Sequence, residues 1–154
     1  MEKIDLSRWE RAELFEFFSA VSHPFYSVTF RVDVTNLYRY VKERHLSFYY
    51  ALGYLVTDAV NSVKNFRYTI RNGEILRLDD LIYISCTPWF DLTGCTNERD
   101  FDRDDNIPRI TWGRYGEENG RKKLGMSVEV NHRFIDGLHL GKFYEKLQAD
   151  IDAL

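Results

Sequence analysis

Apolar residues at every second position mark the clearest strand in the chain. Residues 25–34 alternate in this way, which predicts a strand with one buried face. Shorter apolar runs predict further strands at 81–86, 109–115 and 124–131. The last two flank the polar segment GEENGRKK and are therefore expected to pair as antiparallel strands.

Glycine and polar residues indicate where the chain turns. Asn72-Gly73 readily adopts positive φ angles, which predicts a two-residue hairpin turn between short strands at 66–71 and 74–78. Residues 97–107 are polar, rich in aspartate and without periodicity, so we expect a loop there.

Helical spacing of apolar residues predicts four helices. The first covers about 8–20, with Ser7 and Glu10 as a capping box. The second runs from Thr35-Asn36 through Arg44, and the third covers 48–63 with Ser47 as its cap. The last begins near Leu138 and has one apolar face, formed by Leu140, Phe143, Leu147, Ile151 and Leu154. This order predicts an α/β (α+β) two-layer sandwich, a mixed β-sheet with helices packed on one face.

Composition narrows the class of protein. The 154 residues, 44% of them hydrophobic, suit one domain over 1–154. A net charge of -3 provides no positive field, so we expect neither a nucleic acid nor a membrane surface as partner. No apolar run approaches the length of a membrane span, and the amino terminus lacks a secretory pattern. Cys86 and Cys95 form no disulfide framework, which favours a cytoplasmic location.

Candidate chemistry concentrates in VNHRFIDGLHL, residues 130–140. His132 falls at the end of a strand, and Asp136-Gly137 falls at the turn that starts the last helix. A neutral imidazole there can take a proton from a hydroxyl or thiol, a role that contributes about two to four orders of magnitude in rate. Asp136 could bind the imidazole or hold the loop through an arginine.

Other readings of this stretch remain open. His132 could be a structural histidine near a helix cap. His132, Asp136 and His139 would share one face if the segment were helical, which would allow a metal site, although Gly137 disfavours a continuous helix. The acidic run Asp100, Asp102, Asp104 and Asn106 lacks the glycine and distal glutamate of a calcium loop. We therefore expect no metal.

Five segments together resemble chloramphenicol acetyltransferases. They are WERAELFEFF (9–18), PFYSVTFRVDVTNL (24–37), NFR (65–67), TPWFDLT (87–93) and NHRFIDGLH (131–139). The final segment is also similar to the acyltransferase core of 2-oxoacid dehydrogenase complexes, but the amino-terminal segments favour the first family.

The resemblance implies a homotrimer with active sites between subunits, where acetyl-CoA meets a small-molecule hydroxyl acceptor, with chloramphenicol as the candidate. His132 matches the catalytic general base, which activates the hydroxyl for direct attack on the thioester. Arg11 and Asp136 match an ion pair that supports this histidine. Thr111 matches a threonine that helps stabilise the tetrahedral intermediate.

Further positions follow from the same resemblance. Arg114 and Thr93 are the candidate coenzyme contacts. The candidate acceptor pocket consists of Phe17, Phe18, Phe25 and Tyr26.

Several positions depart from the family pattern. The serine that donates to the oxyanion falls at Gly94, which has no side-chain donor; loss of one such donor costs about two to three orders of magnitude in rate. Asn131 replaces the first histidine of the usual pair, and Ser47 stands where a lysine near the coenzyme is common.

The largest departure is an internal block that this chain lacks between the regions matching 73–78 and 81–89. A naturally shortened relative, an engineered truncation and an omitted segment would each explain it. Two main hypotheses follow: a CoA-dependent O-acetyltransferase, and a catalytically impaired or engineered trimeric scaffold. A dihydrolipoyl-type acyltransferase core, which would use a thiol acceptor, is a third.

Overall fold

The computed structural model describes residues 2–78, 82–99 and 106–154. Within these ranges the chain forms eight strands, four α-helices and two short 3-10 helices, Leu6–Arg8 and Lys64–Arg67. The strands are β1 (Glu2–Lys3), β2 (Phe25–Asp33), β3 (Tyr68–Arg71), β4 (Glu74–Arg77), β5 (Tyr83–Thr87), β6 (Arg109–Gly113), β7 (Gly116–Glu118) and β8 (Arg121–Asn131). The helices are α1 (Ala12–Ser19), α2 (Thr35–Glu43), α3 (Phe48–Ser62) and α4 (Gly137–Asp152).

The main sheet is mixed. Its strand order is β2-β8-β6-β5, and β7 also pairs with β8. Strands β5 and β6 are parallel, whereas the other pairs of this sheet are antiparallel. Strands β1, β4 and β3 form a smaller antiparallel sheet.

Strand β8 explains why the helices cover one face of the main sheet. Successive side chains of a strand point to opposite faces. Met126 and Val128 are fully buried in the hydrophobic core, together with Phe143 and Leu147 of α4. The predicted α/β sandwich with helices on one face of a mixed sheet is therefore confirmed.

The opposite face of the sheet is polar and also covered. Leu92 is buried against this face, where Gly113 and Gly125 leave room for its backbone. A Cβ atom on Gly125 would lie 1.8 Å from the Leu92 carbonyl oxygen. Ser127 also donates to the Cys95 carbonyl at 3.1 Å. The segment that follows β5 therefore lies directly on the sheet.

Most local predictions are confirmed within a residue or two. Strand β2 begins at Phe25, the Ser47 hydroxyl accepts from the Tyr50 amide at the start of α3, and α4 begins one residue before Leu138. Asn72 and Gly73 have φ angles of 53° and 76° in the β3–β4 hairpin.

The predicted start of the first helix is wrong. Asp5, rather than Ser7, caps a short 3-10 turn, and α1 begins only at Ala12. Trp9 is extended at this break, and its ring packs against Tyr68 and Phe134. Burial of one large aromatic ring therefore outweighs the local capping signal.

The GEENGRKK segment is also more ordered than predicted. Residues 116–118 form β7, which pairs with the first residues of β8. The turn is made by Asn119 and Gly120, with φ angles of 52° and 73°. This Asn-Gly pair carried the same signal as Asn72-Gly73. None of the helices in the described residues is long and apolar enough to cross a membrane.

Candidate active site

His132 lies immediately after β8 and is held by its backbone and its ring. Its amide donates to the Pro24 carbonyl at 2.7 Å. Its ring stacks on Phe18, with centroids 3.9 Å apart and planes at 25°, and it also packs on Tyr26 at 4.5 Å. Two aromatic side chains from α1 and β2 therefore fix the orientation of the imidazole.

The two nitrogens of this imidazole are not equivalent. Nδ1 is buried and has no hydrogen-bond partner in the part of the chain that the structure describes. Nε2 is therefore the nitrogen available for contact with another molecule. A base that uses Nε2 carries its proton on Nδ1.

Arg11 joins the first helix to the loop that follows His132. Its side chain is only 5% exposed, and it donates to three acceptors. Nη1 binds Asp136 Oδ2 at 2.6 Å, Nη2 binds the His132 carbonyl at 2.9 Å, and Nε binds the Arg133 carbonyl at 3.1 Å. The ion pair expected from the resemblance is thus present, and it also binds the backbone of His132 itself.

Asp136 connects this arginine to the start of α4. As the N-cap, its Oδ1 accepts from the amides of Leu138 at 3.0 Å and His139 at 3.4 Å. Burial alone would raise the pKa of Asp136, but the Arg11 hydrogen bond and nearby positive charge outweigh burial and lower it. The carboxylate is therefore ionised at neutral pH.

Two further side chains hold the backbone of the 132–136 loop by hydrogen bonds. The Asn65 side-chain amide donates to the Phe134 carbonyl at 3.0 Å, and the Tyr26 hydroxyl donates to the Ile135 carbonyl at 3.2 Å. Burial, with the nearby charge of Asp136, raises the pKa of Tyr26 to about 12. Its hydroxyl consequently stays protonated and continues to donate.

Asn131, which replaces the first histidine of the family pair, is buried, and both ends of its side-chain amide are hydrogen-bonded. Its Oδ1 accepts from the Arg133 amide at 2.9 Å, and its Nδ2 donates to Asn106 Oδ1. Arg133 Nη2 also donates to Asn106 Oδ1, at 3.1 Å. Asn131 therefore stabilises the start of the loop. No sequence pattern predicted its contact with Asn106.

The sequence patterns also did not predict a buried ion pair on the polar face of the sheet. Arg99 Nε lies 2.6 Å from Glu129 Oε1, and the two side chains are only 2% and 6% exposed. Glu129 Oε2 accepts from the Asn97 amide at 2.8 Å, and Phe25 stacks under the Arg99 guanidinium at 4.2 Å. An acidic residue inside the apolar run of β8 was the only signal available for this pair.

A cavity of about 510 Å³ brings together residues considered for coenzyme binding. Arg114 and Ser47 both line it, although 66 residues separate them in the chain. Its other lining residues are mainly aromatic and include Phe48, Trp112 and Tyr115. Thr93 does not line this cavity and is exposed beside Leu92.

Thr111 does not lie beside His132 in the same chain. Thr111 is buried on β6, where its strand partner is Ser127 of β8. Ser127 precedes His132 by five residues in the chain. At about 3.3 Å per residue, five residues of strand span roughly 16 Å. Phe17 packs edge-to-face on Phe18 but is 65% exposed.

The geometry does not favour the metal alternative. Helix α4 begins at Gly137, so His132 lies outside it and the required helical face does not form. Among the described residues, no group of three or more His, Cys, Asp or Glu side chains is placed to hold a metal ion. Of the acidic run proposed for calcium, only Asn106 lies within the described residues.

Comparison with known proteins identifies the family. A sequence model described as Chloramphenicol acetyltransferase matches residues 1–81 and 77–148. The chain belongs to the chloramphenicol acetyltransferase family. Both the segment with Arg11 and the segment with His132 and Asp136 lie inside the matched ranges.

Individual family members are distant but match most of the chain. The chloramphenicol acetyltransferase of Clostridium perfringens is 25% identical over 201 aligned positions, which cover 94% of this chain and 92% of the relative. That of Proteus mirabilis is 21% identical and covers 97% and 94%. Because this chain has 154 residues, at least 47 of the 201 positions (201 less 154) are gaps in it. The two matched ranges meet at 77–81, where the shortening was predicted.

Solved structures agree on the fold. A chloramphenicol acetyltransferase structure superposes with a TM-score of 0.91 at 23% identity, covering 97% of this chain and 98% of that chain. A probable dihydrolipoamide acetyltransferase from Listeria monocytogenes superposes with a TM-score of 0.60 at 15% identity, covering 99% and 94%. The fold is therefore much closer to the chloramphenicol acetyltransferase structure than to the dihydrolipoamide one.

Proposed function

We propose that this protein is a cytoplasmic, single-domain, CoA-dependent O-acetyltransferase that transfers acetyl from acetyl-CoA to a hydroxyl of a small molecule, with chloramphenicol as the candidate acceptor. The single observation that carries this proposal is the Arg11 contact. The buried Arg11 guanidinium binds both Asp136 and the His132 carbonyl. These two bonds hold the backbone that carries His132 in a fixed position, as a catalytic base requires.

The proposed step uses His132 Nε2 as a general base. Nε2 takes the proton of the acceptor hydroxyl, and the acceptor oxygen forms a bond to the thioester carbonyl carbon. The carbon–sulfur bond then breaks, and the leaving thiolate takes the proton from the imidazolium. The stacked rings of Phe18 and Tyr26 keep the imidazole in place during both proton transfers.

A site between subunits of a homotrimer explains the separation of Thr111 from His132. Thr111 is about 16 Å along the sheet from His132 in one chain, too far to contact the same reacting group. A neighbouring subunit would supply the Thr111 that faces a given His132. Phe17 packs on the Phe18 ring that stacks on His132, and its own apolar side chain is 65% exposed, so it is suited to burial in such an interface.

Acetyl-CoA is proposed to occupy the cavity lined by Ser47 and Arg114. Arg114 can pair with a phosphate, and the aromatic lining suits an adenine ring. The acceptor is proposed to contact Phe18, Phe25 and Tyr26. Within residues 2–78, 82–99 and 106–154, Thr93 makes no hydrogen bond that supports a coenzyme role, and it lies outside the lining of this cavity.

The test is acetyl-CoA-dependent thiol release with and without chloramphenicol. We compare the wild type with His132→Ala and with His45→Asn as the matched histidine control. His45 is exposed, and its φ of 54° suits asparagine. Chloramphenicol-dependent release that is lost only in His132→Ala supports the proposal.

Other results point elsewhere. Equal release by the wild type and His132→Ala would exclude the general base. Release with dihydrolipoamide but not with any hydroxyl acceptor would favour a dihydrolipoyl-type acyltransferase. No release with either acceptor, together with a stable trimer in light scattering, would favour a catalytically impaired scaffold, for which Gly94 offers a reason.

A further inference from the structure

His139 lies against the carboxylate that supports His132. It is the third residue of α4, and its side chain is 14% exposed. The sequence patterns suggested His139 only as a metal ligand. The family comparison assigns no role to this residue. Its position is nevertheless well defined, because it completes a capping box with the N-cap residue Asp136.

One nitrogen of His139 faces two partners that need opposite protonation states. Nδ1 lies 3.2 Å from the Asp136 amide nitrogen and 2.7 Å from Asp136 Oδ1. The amide donates, so it requires a lone pair on Nδ1. The carboxylate accepts, so it requires a proton on Nδ1. The imidazole can therefore satisfy only one of these groups at a time.

We infer that His139 is a positioning residue for His132: with a lone pair on Nδ1 it accepts from the Asp136 amide and fixes the end of the 132–136 loop, and protonation of Nδ1 removes this bond. The activity readout of this inference rests on the proposed acetyltransferase function.

Protonation of His139 affects the position of His132 through two hydrogen bonds of Arg11. Asp136 Oδ2 binds Arg11, and Arg11 binds the His132 carbonyl. While Nδ1 accepts from the Asp136 amide, both the backbone and the carboxylate of Asp136 are fixed. When Nδ1 carries a proton, it competes for the carboxylate, and the Asp136 amide loses its acceptor. The imidazolium then also lies near the Arg11 guanidinium, which it repels.

Surrounding charges determine the pH range of this change. Burial is the main cause that lowers the pKa of His139 below its ordinary 6.5; Arg11 at the start of α1 and Lys142 on α4 add to it, while Asp136 opposes it. The unfolded chain therefore takes up this proton before the folded chain does. Stability that depends on neutral His139 is fully present above about pH 6.5 and falls as pH drops towards the lower folded pKa.

The decisive comparison is between His139→Gln and His139→Ala. Glutamine at the third helical position can accept from the N-cap amide, but it does not ionise. Alanine provides neither function. The control His45→Asn removes an exposed histidine outside the loop. For each protein we measure kcat/KM for acetyl transfer and the Tm between pH 5 and 8, and we record the imidazole ¹⁵N shifts of wild-type His139.

The expected result has three parts. Below the His139 pKa, wild-type kcat/KM falls with one proton more than that of His139→Gln, so the ratio of the two values changes by about tenfold per pH unit. His139→Ala has a lower kcat than His139→Gln at every pH. The ¹⁵N shifts at pH 7.5 show an unprotonated Nδ1.

Two results would overturn the inference. One is a protonated Nδ1 at pH 7.5, because the imidazole would then serve the carboxylate throughout. The other is an identical pH dependence of kcat/KM and Tm in the wild type and His139→Gln, which would leave His139 as a helix cap only. If no protein transfers acetyl, the proposed function fails, and the Tm and ¹⁵N measurements still decide the role of His139.

Discussion

Arg11 and Asp136 are 125 residues apart in the chain, yet Arg11 Nη1 lies 2.6 Å from Asp136 Oδ2. The same guanidinium binds the carbonyls of His132 and Arg133. One side chain thus holds both ends of the loop that carries the candidate base. The rigidity of this loop depends on the forked shape of the guanidinium as much as on the charge of Arg11.

Arg11→Lys is therefore expected to impair the proposed acetyl transfer although it keeps the positive charge. An ammonium group is a point charge and cannot reproduce three donor directions at these positions. We expect kcat to fall by up to about 100-fold, because a small displacement of a catalytic group can have an effect of this size, and the free energy of unfolding to fall by about 1–3 kcal/mol. Steady-state kinetics and urea unfolding measure both. Arg31→Lys, at a more exposed ion pair, is the control; an unchanged kcat in Arg11→Lys would contradict the role given to Arg11.

Acid should weaken the same pair. The folded-state pKa of Asp136 is lowered because the Arg11 hydrogen bond outweighs burial. A lowered carboxyl pKa contributes stability above the unfolded value, about pH 4, and this contribution is lost as pH falls through the folded pKa. Urea unfolding between pH 2.5 and 6 should show the wild type more stable than Asp136→Asn above pH 4, with the difference shrinking below it. A constant difference down to pH 2.5 would rule out this linkage.

Gly94→Ser tests whether the missing oxyanion donor limits the rate. A Cβ atom on Gly94 would have no neighbour within 4 Å, so a serine side chain fits. Because the resemblance places the oxyanion serine at this position, kcat should rise about tenfold or more, since removal of such a donor costs about two to three orders of magnitude. Gly94→Ala separates the hydroxyl from the added carbon. Equal rates in the serine and alanine variants would show that this position does not face the oxyanion.

Gly125→Ala should destabilise the fold by about 2–4 kcal/mol. The added Cβ would lie 1.8 Å from the Leu92 carbonyl, so the covering segment would have to move. Gly53→Ala provides the opposite case, because it lies in α3 with nothing within 4 Å of its Cβ. That substitution should stabilise the protein by about 0.5–1 kcal/mol. Urea unfolding of both variants checks whether the Leu92 segment lies on the sheet.

Arg114→Gln should raise KM for acetyl-CoA a few-fold, corresponding to about 1 kcal/mol for an exposed charge pair, with kcat little changed. Arg114 is exposed at the rim of the cavity that Ser47 also lines. Arg71→Gln, an exposed arginine on β3, controls for the change in net charge. An unchanged KM in Arg114→Gln would place the coenzyme elsewhere.

Local patterns predicted the parts of the fold that depend on near neighbours. The alternation of residues 25–34 determined β2, and Asn72-Gly73 and Ser47 determined a turn and a cap. The prediction for the start of α1 was wrong because the Trp9 ring packs against distant parts of the chain. A local capping pattern contains no information about such tertiary contacts.

The site was predictable only in part for the same reason. The resemblance paired Arg11 with Asp136, and the structure contains that pair. The Arg99–Glu129 pair and the Asn131–Asn106 contact join β8 to residues outside the helices and strands, 30 and 25 positions earlier in the chain. No periodicity or spacing relates such residues, so they emerge only when the polar face of the sheet is assembled.

The longest strand pair has a consequence for how the molecule folds. Strands β2 and β8 align nine residue pairs, from Phe25 with Asn131 to Asp33 with Lys123, so the paired residues are 90 to 106 positions apart. Closing such a long loop costs chain entropy before any contact repays it, and sheets built from distant segments fold slowly, in about milliseconds to seconds. Because His132 directly follows Asn131 and its amide donates to the Pro24 carbonyl just before β2, the position of the candidate base depends on this pairing. The proposed acetyl transfer therefore requires that two segments from opposite ends of the chain have already paired.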